Sequence, residues 1–418
     1  MKKIIKKIIG ENRIIFIKLF IKKVKNNLFN RKKMKLYINN KFIQNEYLFS
    51  ENGYNIFNGY YDLNPIKNKK MLVHKLKIKS GLQDSIELGY YDINNNTYQK
   101  IDDSNAWCWQ QGSRLRWSEV FDNCVYYNSV YNNSYVCNLY NIEEKNIIKT
   151  INLPLYDISI DETYGVSLDF ERLQFFRPGY GYCYLNKNKF ENAPKDDGLI
   201  YIDLKTGAKK MLISLYELAI KVDSNLKYPH YLNHISISPD GSKIMFFHIW
   251  NVDKSKWKTE LCVINCDGSN FKSLELNNRV SHYDWKNNDS LLITSVLKDS
   301  EECEYRYYYL NNKTKKIQNN SLKRDGHPTF IGNSENFITD TYPDEYGNQS
   351  VLLYLSNDNN VIKLADLPSD VMLYDQKRCD LHPKLSHFDG NNYISIDTTF
   401  KNRRRSVMVL EMRDENNE

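Results

Sequence analysis

From about residue 40 onward, apolar residues come in short runs that often alternate with polar ones, and clusters of Asn, Asp, Gly and Lys break the runs. A period of two puts alternate side chains on one face, which marks β-strands rather than amphipathic helices. One unit recurs: a strand rich in Tyr, Leu and Val, a polar turn, then a second short strand. Its copies are IELGYYDINNNTYQKI, YVCNLYNIEEKNIIKTI, LIYIDLKTGAKKML, LCVINCDGSNFKSL, YRYYYLNNKTKKIQ, VLLYLSNDNNVIKL and SVMVLEM. Asp-Gly and Thr-Gly in these turns suit tight hairpins. Seven copies at roughly 45-residue spacing fit one outer hairpin per blade of a propeller. The pattern therefore predicts an all-β chain, a seven-bladed β-propeller over residues 41–418. The last copy lacks its second strand. A strand near Lys41–Ser50 would complete that blade and remove an open edge.

The first 33 residues have a different pattern. Ile4, Ile5, Ile8, Ile9, Ile15, Phe16, Leu19, Phe20 and Val24 fall near helical spacing, with Lys on the other face. This predicts a short basic amphipathic helix over 1–33. Its uncharged runs are far below the ~20 residues of a membrane span, and it has no signal-peptide cleavage pattern. Such a helix suits either an anionic membrane surface or a docking face on the propeller or a partner. The expected location is cytoplasmic, with peripheral contact at the inner face of the membrane.

A second repeat occupies the latter half. HISISPDGSKIMFF, SHYDWKNNDSLLITS, GHPTFIGNSENFITD and LHPKLSHFDGNNYISID each place a histidine before an inner strand, followed by a turn and a second strand. The histidines are His234, His282, His327 and His382. The innermost strand of each blade lines the central channel, so equivalent positions on successive blades converge near the axis. Converging imidazoles bind divalent transition metals or move protons near neutral pH. Asp380 lies two residues before His382, on the same face of an extended segment. Asp380 and His382, with His282 and His327, would make a mixed N/O site suited to Mn, Zn or Fe. The other reading is a metal-free group that hydrogen-bonds a polar ligand.

The earlier blades offer different chemistry. WCWQQGSRLRW (107–117) sets Gln110, Gln111, Arg114 and Arg116 among three tryptophans. Aromatic faces beside amides and guanidiniums can stack a sugar and hold its hydroxyls and carboxylates; plain strand packing explains the same residues equally well. SLDFERLQFFRPGYGY (167–182) predicts a long connection before the next blade, carrying Arg172 and Arg177. His248 follows the strand IMFF, within reach of the face of His234, and NGYYDLNP (58–65) offers Tyr61 and Asp62.

Charge and cysteine content narrow the classes. The net charge is +7, but the first 33 residues hold 12 Lys or Arg and one Glu, so the rest is near neutral. That pattern argues against a nucleic-acid binder. The eight cysteines are scattered without a CxxC pair, as expected of reduced thiols. There is no phosphate-binding glycine loop and no GxSxG elbow.

The region from about His234 to Met412 resembles the propeller of oligogalacturonate lyases. The blocks HISISPDGSKIMFFH, LCVINCDGSNFKSL, SHYDW and HPKLSHFDG are similar in order and spacing to that family, and the SPDG turn is shared with TolB-like propellers. The resemblance implies a Mn-type ion in the channel and β-elimination on a uronate. It implies His282 and His382 as metal ligands. The family has a second histidine two residues before the last one and a glutamine further upstream; here those places hold Asp380 and, with a slip in register, Gln376. His234, His248 and Arg177 are then the candidate bases, and Gln110, Gln111, Arg114, Arg116, Arg172 and His327 the candidate substrate contacts. NGYYDLNP, WQQGSRLRW and RPGYGY also look like motifs of propellers encoded near bacterial surface-polysaccharide genes. The expected partner is an acidic oligosaccharide or polysaccharide. The alternative is a non-catalytic propeller that binds a glycan or a protein.

Overall fold

A computed structural model describes residues 36–253, 256–275, 279–297, 302–344, 347–370, 372–400 and 404–413. The helix expected over 1–33 lies outside them. The strands form seven antiparallel sheets, one per blade. Each recurring hairpin of the sequence is the outer pair of its blade, as in Ser134–Asn141 with Asn146–Ile151. The inner strands are Tyr54–Phe57, Arg116–Trp117, Asp157–Ile158, His230–Ile237, Arg279–Asn287, Thr329–Phe330 and Lys384–Phe388, in blades 1 to 7.

The ring closes through the start of the chain. Ile43–Phe49 pairs with Ser406–Met412 and becomes the outer strand of blade 7. Ile43 and Phe49 are buried there. Glu411 accepts hydrogen bonds from Asn45 and the Tyr47 and Tyr393 hydroxyls. Without this strand, Ser406–Met412 would present an unpaired edge. Tyr37–Ile38 adds to the outer edge of blade 6 in the same way.

Adjacent blades pack through buried Ile, Leu, Val, Phe and Tyr, and polar locks tie each to the next. Asp157 accepts the Ile237 N–H of blade 4, Asp284 the Phe330 N–H of blade 6, and Asp397 the Asn58 N–H of blade 1. Burial pushes the Asp284 carboxyl up to about 7, with its backbone donors working in the opposite sense.

The stretch predicted as a connection between blades is instead an insertion inside blade 3. It runs from the second strand, Tyr164–Ser167, to the third, Gly198–Asp203. Asp169 ends the strand by capping helix α1 (Phe170–Phe176), accepting from the Glu171 and Arg172 N–H groups. Sequence periodicity missed this because the helix has only two turns. Helix α2 (Leu215–Val222), fixed by a Ser214/Glu217 capping box, leads into blade 4. Among the described residues, no helix is long and apolar enough to cross a membrane.

Candidate functional site

His234, His282, His327 and His382 come together from blades 4, 5, 6 and 7; the sequence pattern predicts all four before the inner strands, but the first two lie within theirs and the last two precede them. The His282 and His327 ring centres are 3.9 Å apart, those of His327 and His382 4.4 Å, and those of His234 and His282 6.3 Å. All four are buried. Tyr60 and Tyr61, just after the inner strand of blade 1, complete the group. Tyr60 stacks on His234 at 5.1 Å and meets the edge of His382 at 4.8 Å.

The backbone is bent to aim two of these rings. His234 has φ +53 beside a register break in its strand pair, and His382 has φ +47 immediately before Pro383. A bulky residue in left-handed backbone costs about 1–3 kcal/mol and persists only where its surroundings hold it. For His382 the holding group is Asp340, which accepts the His382 N–H at 3.1 Å. The same carboxylate accepts the His327 N–H at 2.9 Å and faces the His327 Nδ1 at 2.7 and 2.9 Å. Asp325 faces the His282 Nδ1 at 3.0 Å and also accepts from Ser281 and Thr294.

These carboxylates place the ring hydrogens of His282 and His327 on Nδ1, which leaves Nε2 as a lone pair. The His382 Nε2 is buried without a hydrogen-bond partner, 3.9 Å from an Asp380 oxygen. Ligand atoms of His327, Asp380 and His382 all lie within 4.8 Å of one another. An orphaned imidazole nitrogen, carboxylate-anchored neighbours and a carboxylate at this spacing fit a divalent transition metal. Arg378 also holds Asp380, at 2.7 and 2.8 Å from Nε. Burial, reinforced by the neighbouring imidazoles, puts the His234 and His382 rings well below their ordinary range and lowers His282. They are therefore neutral and have a nitrogen lone pair at neutral pH. Burial works against the charge on Asp325, yet His282 and Ser281 hold its carboxyl below the usual range.

A cavity of about 190 Å³ opens beside this group, walled by Arg177, Tyr180, His234, Trp257, His282, Tyr342 and Arg378 among others. The remaining sequence candidates sit elsewhere. His248 points from the opposite face of its strand, 3.0 Å from Glu260 and 2.9 Å from His230. Its strand neighbours Phe247 and Ile249 are the ones that face the cavity, as period-two alternation requires. Gln376 lies in a short turn, where its side chain meets Gln174 rather than the histidines. Gln110 bridges to the Gln376 and Arg378 carbonyls. Gln111 donates to the Tyr156 hydroxyl. Arg114 is clamped on Asp62 at 3.0 and 2.9 Å, Arg116 on Asp157 at 2.6 Å, and Arg172 on Asp197 at 2.7 Å. Arg114 supports the site at second hand: it holds the Tyr156 carbonyl, and the Tyr156 hydroxyl accepts the His234 N–H at 3.0 Å.

Sequence reading missed Asp325, Asp340, Arg378, Tyr342, Trp257 and Arg279. Two had a signal. Asp325 lies two residues before His327, and Arg378 two before Asp380, on the same face of an extended segment.

No family model and no curated protein sequence matches this chain. Solved structures do. An oligogalacturonate lyase from Vibrio parahaemolyticus superposes with a TM-score of 0.62 at 12% identity, covering 92% of this chain and 100% of that one. The tricorn protease gives 0.50 at 9% identity, covering 85% of this chain and 35% of that one. TolB from Acinetobacter baumannii gives 0.38 at 14% identity, covering 78% and 76%. At these identities the likeness is one of fold. The chain is a seven-bladed propeller whose fold is similar to that of an oligogalacturonate lyase over 92% of its length, where the sequence blocks had carried the resemblance only from about His234 to Met412.

Proposed function

We propose that this protein is a metal-assisted lyase that cleaves a uronate-containing oligosaccharide or polysaccharide by β-elimination. The observation that carries the reading is one cavity in which the neutral His234 and His282 imidazoles stand beside guanidiniums, with the His327, Asp380 and His382 group adjoining His282. His282, His327, His382 and Asp380 would hold the metal, with Mn the expected ion. When bound, it would draw electron density from the substrate carboxylate and acidify the proton on the adjacent carbon.

This chain's own residues do the rest. Arg378 approaches the carboxylate while keeping Asp380 in place. His234 lines the cavity as a neutral imidazole and takes the proton. Arg177 is a poorer base because a guanidinium stays protonated. His248 faces away. Tyr342 also lines the cavity, and burial raises its hydroxyl well above the ordinary range, so it stays protonated. It donates its proton to the departing glycosidic oxygen. The C–H pair becomes the new C=C bond, the C–O bond breaks, and the proton lost to His234 is balanced by the one Tyr342 gives.

The test is ultraviolet absorbance of the unsaturated uronide, using Mn²⁺-loaded protein and a panel of uronate oligosaccharides. Absorbance should rise with at least one member and fall at least 100-fold in His234→Gln. No rise across the panel overturns the lyase reading. A second reading, a non-catalytic glycan-binding propeller, draws on the Arg378–Asp380 pair, which already engages the carboxylate a metal needs. It predicts saturable binding of the same glycans with no metal uptake.

A further inference from the structure

One face of the ring carries an apolar projection far from the cavity. Strands alternate in direction within each blade, so the loops from first to second strand and from third to fourth all lie on this face. In blade 2, residues 118–123 link Arg116–Trp117 to Cys124–Tyr131, and in blade 3, residues 159–163 link Asp157–Ile158 to Tyr164–Ser167. Val120, Phe121 and Ile160 in these loops are 52%, 46% and 56% exposed.

The two loops are pinned to each other. Glu162, with φ +53, accepts the Ser118 hydroxyl and the Glu119 N–H at 2.7 Å each and the Tyr126 hydroxyl at 2.8 Å. Val120 and Phe121 cannot fold back without breaking these bonds. A partner then meets apolar tips that are already ordered, so little further entropy is lost on binding. Exposed apolar groups with a polar rim mark contact surfaces. Here the rim is acidic: Glu119, Asp122, Glu143, Glu144 and Asp161 are all exposed. The Ile142 N–H donates to the Asn123 carbonyl at 2.9 Å, which brings the turn of Glu143 and Glu144 against the 118–123 loop. Against these five carboxylates stand Lys67, tied to the Ser118 carbonyl, and Lys145.

A partner for this surface needs apolar residues with cations beside them. Residues 1–33 have that composition: apolar positions near helical spacing, 12 Lys or Arg and one Glu. The topology separates them from the patch on their own ring. Tyr37 pairs with Asp366 and Ile38 with Ala365, so Leu36 lies toward the Pro368 end of the blade 6 strand Asn360–Pro368. That end belongs to the opposite face, where the segments carrying Tyr342 and Arg378 wall the histidine cavity. Blade 6 also stands across the ring from blades 2 and 3.

We propose that Val120, Phe121 and Ile160, with their acidic rim, dock residues 1–33 of a second copy of this chain. The contact is head-to-tail. Each copy offers the segment from one face and the patch on the other, so copies add in series instead of closing as a two-fold dimer.

The experiment is sedimentation velocity of the full-length protein, without membranes, across a hundredfold range of concentration. The mean mass should rise with concentration at low salt and fall toward that of the monomer at high salt. Phe121→Ser/Ile160→Ser should weaken association at least tenfold; both side chains are exposed, so thermal unfolding should match wild type. Glu143→Lys/Glu144→Lys, which keeps the apolar tips, should weaken association at least threefold. An excess of a synthetic peptide of residues 1–33 should return wild type to monomer, and a scrambled peptide of the same composition should not. A monomer at every concentration overturns the proposal, whether the segment then binds its own ring or a vesicle instead. Association that survives either double variant or the peptide overturns it too, because the contact then lies elsewhere. Equal action of the scrambled peptide would reduce the contact to charge alone and sink the apolar docking.

Discussion

Asp340→Asn is the sharpest test of how the site is held. Asp340 is 2% exposed, and its two oxygens face three donors: the His327 N–H, the His382 N–H and the His327 Nδ1–H. Asparagine replaces one oxygen with a donor NH₂. One of the three donors must then face another donor. A buried donor left unpaired costs about 1–3 kcal/mol, and loss of the charge-assisted bond adds to this. The expected destabilisation is about 2–4 kcal/mol. A second effect is chemical. The carboxylate keeps the His327 hydrogen on Nδ1 and the lone pair on Nε2. The amide NH₂ favours the opposite tautomer, which places the hydrogen where the lone pair was needed. Metal affinity should fall about 10–100-fold. Urea unfolding of metal-free protein, followed by circular dichroism, reads the first effect. Calorimetric titration with Mn²⁺ reads the second. Lower stability with unchanged Mn²⁺ affinity would refute the tautomer argument. No change in either would refute the hydrogen-bond argument as well.

Three further outcomes follow from particular contacts. Burial lowers His74 to about 4, against 6.5 when unfolded, so only the unfolded chain takes up its proton as pH falls from about 6.5 to about 4. Stability falls across that window, by about 3 kcal/mol for this residue; His74→Gln, which keeps an acceptor for the Ser113 N–H, should flatten the pH dependence of unfolding relative to wild type. Gly112 has φ +58, and a Cβ there would sit 2.2 Å from the His74 ring, so Gly112→Ala should cost more than about 2 kcal/mol in denaturant unfolding. Deleting residues 1–33 should reduce sedimentation of the protein with anionic vesicles while leaving neutral-vesicle binding unchanged, and equal binding to anionic vesicles would remove the proposed membrane contact.

The sequence by itself determined the architecture. Strand alternation and hairpin turns are local properties, so seven outer hairpins could be counted, and the incomplete last copy called for the strand that Ile43–Phe49 supplies. The spacing of the four histidines was legible for the same reason, because equivalent positions in a closed ring must converge. Tertiary structure decided what the other polar residues do. Arg114, Arg116 and Arg172 look alike in sequence to Arg177, yet the first three find carboxylates 52, 41 and 25 residues away; the Arg114 and Arg116 pairs join neighbouring blades, and the Arg172–Asp197 pair ties the blade 3 insertion to itself. A period of two says that His248 and Phe247 face opposite ways, but only ring closure decides which face meets the channel. The cavity wall at Trp257 joins Arg177 of the blade 3 insertion to strands of blades 4 and 5. No local pattern encodes that meeting, because it depends on how neighbouring blades twist and pack around a common axis.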